Sequence, residues 1–185
     1  MTAINFFDID DTLVHTTAMI GVKKGGVVTR RLTNQEFNTY KLQPGEDFDF
    51  SEFTCSRKFA TESTPIRTVI DVFNRVKNAG DVRLLTARSD FDCKETFLRS
   101  LERWGIDYRR AHVHRSGNLQ IRGSTAEKKA VWVRRYLDNP LNRYTEVSLY
   151  DDSLENLRVF ARLGDEYPHV TFHPYLVELG AIRKI

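Results

Sequence analysis

The chain has 185 residues, of which 41% are hydrophobic and 29% charged, and its formal net charge is +3. That length suits one domain with room for a modest insert and buries most of its apolar surface without disulfide or metal staples. So small a charge excludes capture of a polyanion by a global field and leaves only local patches for that work. The two cysteines, Cys55 and Cys93, are far apart in sequence and match no metal-binding spacing, which suits a reducing compartment.

The opening MTAINFFDIDDTL carries acids where a secretion signal needs an apolar run, and no segment is apolar and long enough to span a bilayer. A cytosolic protein with no membrane association and no obligate protein partner is expected. INFFDID reads as a first strand. Residues 14–64 then break the pattern. MIGVKKGGVVTRRL places two β-prone runs around Lys-Lys-Gly-Gly, a hairpin signal, and LQPGEDFDFSEF reads as a loop with aromatic anchors. This stretch is taken as a small β-flap inserted into the single domain 1–185.

Beyond it, helix and strand alternate. Ser63-Thr64-Pro65 predicts a cap and a proline at the first helical position, with Ile66, Val69, Ile70, Phe73 and Val76 on one face. Gly80 ends that helix and DVRLLTAR forms a buried strand. Ser89 is the expected cap of a second helix carrying Phe97, Leu98, Leu101 and Trp104, ended by Gly105. YRRAHVH gives a weaker strand signal. A helix from Ser124 or Thr125 follows, with Ala130, Val133 and Leu137, stopped by Asn139-Pro140. EVSLYDD is a strand, SLENLRVFARLG a helix and HVTFHP the last strand. The expectation is an α/β, Rossmann-like fold: a mostly parallel sheet of about five strands between helices, plus the flap.

Ligands of such sheets gather at the carboxyl ends of the strands. Asp8, Asp10, Asp11 and Thr12 follow the first strand, Thr86 and Arg88 the second, and Asp151 and Asp152 the fourth, while Lys128 and Lys129 start the third crossover helix. Carboxylates, a hydroxyl and an ammonium converging on one point suit phosphoryl transfer. Magnesium takes carboxylates, phosphate and water as ligands. A carboxylate can attack phosphorus, and a second can protonate the leaving alcohol and then activate water.

In order along the chain, FFDIDDTLV, RLLTAR, Lys128 and VSLYDDSLENL resemble the four motifs of haloacid dehalogenase-superfamily phosphatases, spanning Ile4 to about Leu157. The resemblance implies a phosphomonoesterase with Mg2+ as cofactor and an aspartyl-phosphate intermediate. It makes Asp8 the nucleophile and a metal ligand, and Asp10 the acid and base, with its carbonyl on the metal. Thr86 and Lys128 hold the phosphoryl group. Asp152 is preferred as the direct metal ligand with Asp151 behind it, an assignment that can be exchanged. One helical step turns Lys129 about 100° from Lys128, so either lysine can be the one that faces the site.

Taken singly, each residue has a plainer role: Asp-Asp as a helix cap, Thr86 as a strand-end hydroxyl, the lysines as a solvated helix start. Cations there oppose the macrodipole, which a nearby anion would explain. Arg88 is placed to meet a second phosphate or a substrate edge. His112 and His114 lack a third ligand, and the run Arg109, Arg110, His112, His114, Arg115 reads as a solvated edge rather than a nucleic-acid surface. A response-regulator receiver uses similar groups in a different order, with its acids first and its lysine last. A catalytically silent binding module is the rival of another class, although neither nucleophile nor metal acid is missing. The short insert leaves the site open. In this the chain is similar to polynucleotide kinase-type phosphatase domains of bacteriophages and to small deoxyribonucleotidases, implying a nucleotide or polynucleotide 3′- or 5′-phosphate as substrate. A sugar phosphate is the alternative. Phe48, Phe50 and Phe53 are expected chiefly to anchor the flap, with stacking on a base as their second role.

Overall fold

The computed structural model describes residues 2–37 and 39–185. Strand β1 (Ala3–Phe7) is apolar on both faces because helices cover both. A tight turn over residues 8–13 follows, in which the N–H groups of Leu13 and Val14 both donate to the Ile9 carbonyl and Asp11 takes φ +54°. The insert then begins at β2 (Val14–His15) and returns at β6 (Thr64–Pro65), which pairs antiparallel with it.

Between these roots lie β3 (Ile20–Lys24), β4 (Val27–Leu32), α1 (Asn34–Phe37), β5 (Glu46–Asp49), α2 (Ser51–Thr54) and α3 (Ser56–Glu62). Gly25 and Gly26 both take positive φ and join β3 to β4, the two-residue turn that suits strand twist and demands residues without a Cβ penalty. The expected hairpin is therefore present. The stretch read as a loop adds a third strand, since β5 pairs with β3 and makes a sheet ordered β4-β3-β5. Ile20, Val22 and Leu32 form its small core, against which Phe37, Tyr40, Phe48 and Phe53 pack.

After the insert come α4 (Arg67–Ala79), β7 (Asp81–Thr86), α5 (Lys94–Arg103), α6 (Tyr108–Ala111), β8 (Val113–Arg115), α7 (Thr125–Leu137), β9 (Glu146–Asp151), α8 (Leu154–Glu166), β10 (Thr171–Glu178) and β11 (Ala181–Lys184). The main sheet runs β11-β10-β9-β1-β7-β8, parallel throughout except for β11, which returns from β10 through Leu179 and Gly180, both at positive φ. Five strands stand where they were expected, except that Tyr108–Ala111 of YRRAHVH forms α6 and only Val113–Arg115 is the strand; β11 is additional. Phe7 faces one core with Phe73 and Phe97, while Phe6 faces the other with Val133 and Phe160. Burying each such ring stabilises the fold by roughly 1.5–3 kcal/mol. Phe7, Tyr150 and Tyr175 are in register on adjacent strands and stack at centroid separations of 4.2 and 4.5 Å.

Helix starts account for most differences from expectation. Thr64-Pro65 stays extended against Val14 and His15, and the Ile66 N–H donates to the Leu13 carbonyl, so α4 begins two residues later than its proline suggested. Cys93 rather than Ser89 precedes α5, and residues 87–92 remain a loop. Ser124 does cap α7, in a reciprocal box with Glu127. Among the described residues no helix is long and apolar enough to cross a membrane.

Candidate active site

The Asp8 N–H donates to the Tyr150 carbonyl at 2.9 Å, extending the β1–β9 ladder by one step past Phe7 and Tyr150. That step sets Asp8 beside Asp151 at the carboxyl ends of neighbouring central strands. The ammonium of Lys129 spans them, 2.7 Å from Asp8 Oδ1 and 2.7 Å from Asp151 Oδ2. All three side chains are almost fully enclosed. Lys129 thus occupies the position that the sequence argument gave to Lys128. Lys128 stands on the cleft wall instead, because α7 turns its neighbour inward.

Asp151 is fully engaged: its Oδ1 accepts from the Ser153 N–H and from Asn156 Nδ2 at 2.9 and 2.8 Å, and its Oδ2 accepts from Lys129. Asp152 is less enclosed and lines the cleft. Asp8, Asp151 and Asp152 each offer one carboxylate oxygen within 4.8 Å of the others. Burial pushes the Asp8 carboxyl well above the usual range, with Lys129 opposing and Asp151 and Asp152 adding to the rise. Burial and the Asp151 charge raise Asp152 to about 7. Burial alone would lower Lys129, but Asp151 and Asp8 outweigh it and hold the ammonium above the ordinary lysine range. Two enclosed acids share one cation with a third, less enclosed acid beside them, so the cluster is short of positive charge. Hard oxygen donors in that state fit a divalent cation.

Asp10 faces the same cleft from the turn after β1. Arg88, expected to meet substrate, lines the cleft and grips Asp10: Nε lies 3.1 and 2.9 Å from the two carboxylate oxygens and Nη2 2.6 Å from Oδ1. Its remaining donors reach the Phe53 carbonyl and Thr16 Oγ1. Phe53, Phe59 and Phe91 surround the guanidinium at 4.6–5.2 Å. With four of its five N–H groups engaged inside the protein, Arg88 holds the Asp10 carboxylate in orientation. Thr86 is buried at the end of β7, where Oγ1 accepts the Arg88 N–H at 3.1 Å and keeps its own proton to donate.

The cleft above these groups measures about 300 Å³. Ile20, Asn34, Phe37, Phe50 and Phe53 form its flap wall; Ser116, Gly117, Thr125 and Lys128 belong to the segments opposite. Phe48 and Phe53 anchor the flap, as expected, while Phe50 remains 45% exposed. Asn34 Nδ2 donates to Asp11 Oδ2 at 2.7 Å and ties the flap to the turn after β1. Asn156 and Asn34 were missed from sequence; Asn156 had a weak signal, its place in the first turn of the helix that follows the acidic pair.

His114 stacks on Trp132 and shares a 2.7 Å hydrogen bond with the Tyr136 hydroxyl, so it packs rather than ligates. In the basic run, Arg109 pairs with Glu102 and Arg115 with Asp90, which neutralises part of that edge. Compared with protein-family models, curated proteins and solved structures, the chain matches none.

Proposed function

We propose that the chain is a magnesium-dependent phosphomonoester hydrolase of the haloacid dehalogenase type. The observation that carries this reading is the Lys129 ammonium joining Asp8 to Asp151, beside Asp152, at the carboxyl ends of β1 and β9. A divalent cation held by Asp8, Asp152 and the Asp10 carbonyl would supply charge neutralisation to the phosphoryl group. The Asp8 carboxylate oxygen attacks phosphorus, the bond to the leaving oxygen breaks, and Asp10 delivers a proton to that oxygen. Asp10 then takes a proton from water as the water oxygen attacks the aspartyl phosphate, releasing phosphate and free Asp8. Lys129 and the Thr86 hydroxyl stabilise charge on the transferring group.

The substrate side of the reading is a nucleotide or polynucleotide end. It is supported by the exposed ring of Phe50 at the edge of an open cleft, a surface on which a base can stack. A cytosolic setting accords with Cys55 and Cys93 being unpaired thiols. The test is phosphate release from p-nitrophenyl phosphate with and without Mg2+, followed by a panel of nucleotides, 3′-phosphorylated oligonucleotides and sugar phosphates. Turnover that needs Mg2+ and disappears in Asp8→Asn is expected. A folded protein inert toward every phosphomonoester would refute the enzyme and leave a binding module. Preference for sugar phosphates would remove the nucleotide alone.

A further inference from the structure

Lys128 and Lys129, the fourth and fifth residues of α7, leave the helix in different directions and meet different fates. Lys129 is enclosed between two carboxylates. Lys128 is half-buried, lines the cleft, and has no carboxylate partner among the described residues. Its neighbour Glu127 does not serve, because that carboxylate accepts the Ser124 N–H at 2.6 Å in the capping box. A cation early in a helix opposes the macrodipole, so local helix energetics do not account for this one.

The surroundings of Lys128 are equally specific. Ser116, Gly117 and Thr125 present small groups on its side of the cleft. The main chain there is fixed by close approach: a Cβ at Gly117 would stand 2.4 Å from the Ala87 carbonyl oxygen. Opposite, Ile20, Phe37 and Phe50 offer apolar and aromatic surface. A ligand filling the cleft therefore meets acids at its floor, rings on the flap and one unneutralised ammonium facing them.

We propose that Lys128 forms a second anion subsite, which engages a phosphate group of the substrate other than the one removed. The proposal rests on the phosphomonoesterase reading and narrows it. The preferred substrates carry two phosphate groups, as a nucleoside bisphosphate or the terminal nucleotide of a polynucleotide does. No bond changes at this subsite; it contributes binding and selects among substrates.

The experiment compares thymidine 3′,5′-bisphosphate and a 3′-phosphorylated thymidine dinucleotide with the thymidine 3′- and 5′-monophosphates. The wild type is expected to prefer at least one substrate with two phosphate groups in kcat/KM, chiefly through KM. Lys128→Gln should shrink that preference by about tenfold, the scale of one hydrogen bond to a charged group, and Lys128→Arg should retain it. A gain confined to the dinucleotide points to polynucleotide ends, and a gain for the bisphosphate to free nucleotides; both support the subsite. Absence of any preference, or a preference unchanged in Lys128→Gln, overturns it. Equilibrium binding of the same ligands to Asp8→Asn protein, with and without Lys128→Gln, reads the same ratio without turnover. Failure of the phosphatase reading and failure of the subsite are thereby separate results.

Discussion

The guanidinium of Arg88 grips the carboxylate of Asp10 through both Nε and Nη2, the closest contact being 2.6 Å. A planar fork on a carboxylate fixes direction as well as distance. Arg88→Lys keeps the charge but loses the fork. We expect kcat to fall by about 10²-fold, within the range of general acid–base contributions, with little change in KM. Stability should drop by about 1–3 kcal/mol because the Phe53 carbonyl loses its donor. Steady-state kinetics and thermal unfolding measure the two effects.

Lys129→Met leaves Asp8, Asp151 and Asp152 crowded without their cation. Breaking a buried pair in this way costs about 3–5 kcal/mol. The carboxyls of Asp8 and Asp152 are already raised in the folded protein. Without Lys129 they rise further, so the variant gains stability relative to wild type as pH falls and the acids take up protons. Denaturant unfolding at pH 7 and pH 5 should show the gap narrowing at the lower value.

Removal of divalent cations with a chelator should lower the unfolding temperature of the wild type. At a cation concentration near 100 times Kd the stabilisation is about 2.7 kcal/mol. Asp152→Asn should lose most of this response while remaining folded, since among the described residues no other element donates a hydrogen bond to the Asp152 side chain. A wild-type melting curve indifferent to Mg2+ and Mn2+ would count against a cation at the acid cluster.

The sheet was legible in sequence because each strand-and-helix unit carries its own punctuation: Gly80 after α4, Gly105 after α5, Ser124 and Glu127 at the start of α7. So were the site's acids, which close apolar strands. What escaped depends on tertiary contact. The choice of Lys129 over Lys128 is set by how α7 docks, which one helical step of sequence does not encode. Arg88 was assigned to substrate because its partner lies 78 positions away. Pro65 pointed to a helix start, but Val14 claimed it for a strand pair.

Burial, then the neighbouring Arg83, His112 and Arg135, lowers His114 to about 4 from an ordinary 6.5. A depressed value means that folding favours the neutral ring. Its contribution is whole above pH 6.5, declines as pH falls, and is lost below about 4. His114→Phe keeps a ring on Trp132 and removes the titration. Between pH 7 and pH 4.5 the variant should therefore lose less unfolding free energy than the wild type.

Phe50 is 45% exposed yet its ring meets Phe37 and Phe48 at centroid separations of 5.6 and 5.9 Å, so Phe50→Ala should cost about 0.5–1.5 kcal/mol of stability. Stacking on a base is worth about 1–3 kcal/mol. If the ring serves that purpose, KM for nucleotide substrates should rise at least fivefold or so, while a sugar phosphate is handled much as before. Equal effects on both substrates would assign the ring to flap packing.

The partners of Arg88 come from both sides of the cleft. Asp10 belongs to the turn after β1, whereas Thr16 and Phe53 belong to the insert. An insert that lifted away as a rigid lid would strip the guanidinium of these partners and of the rings around it, and would release Asp10 at the same moment. The flap is in this sense moored at its α2 end. An insert moored there keeps its α2 end and the Asp10 carboxylate in one fixed relationship.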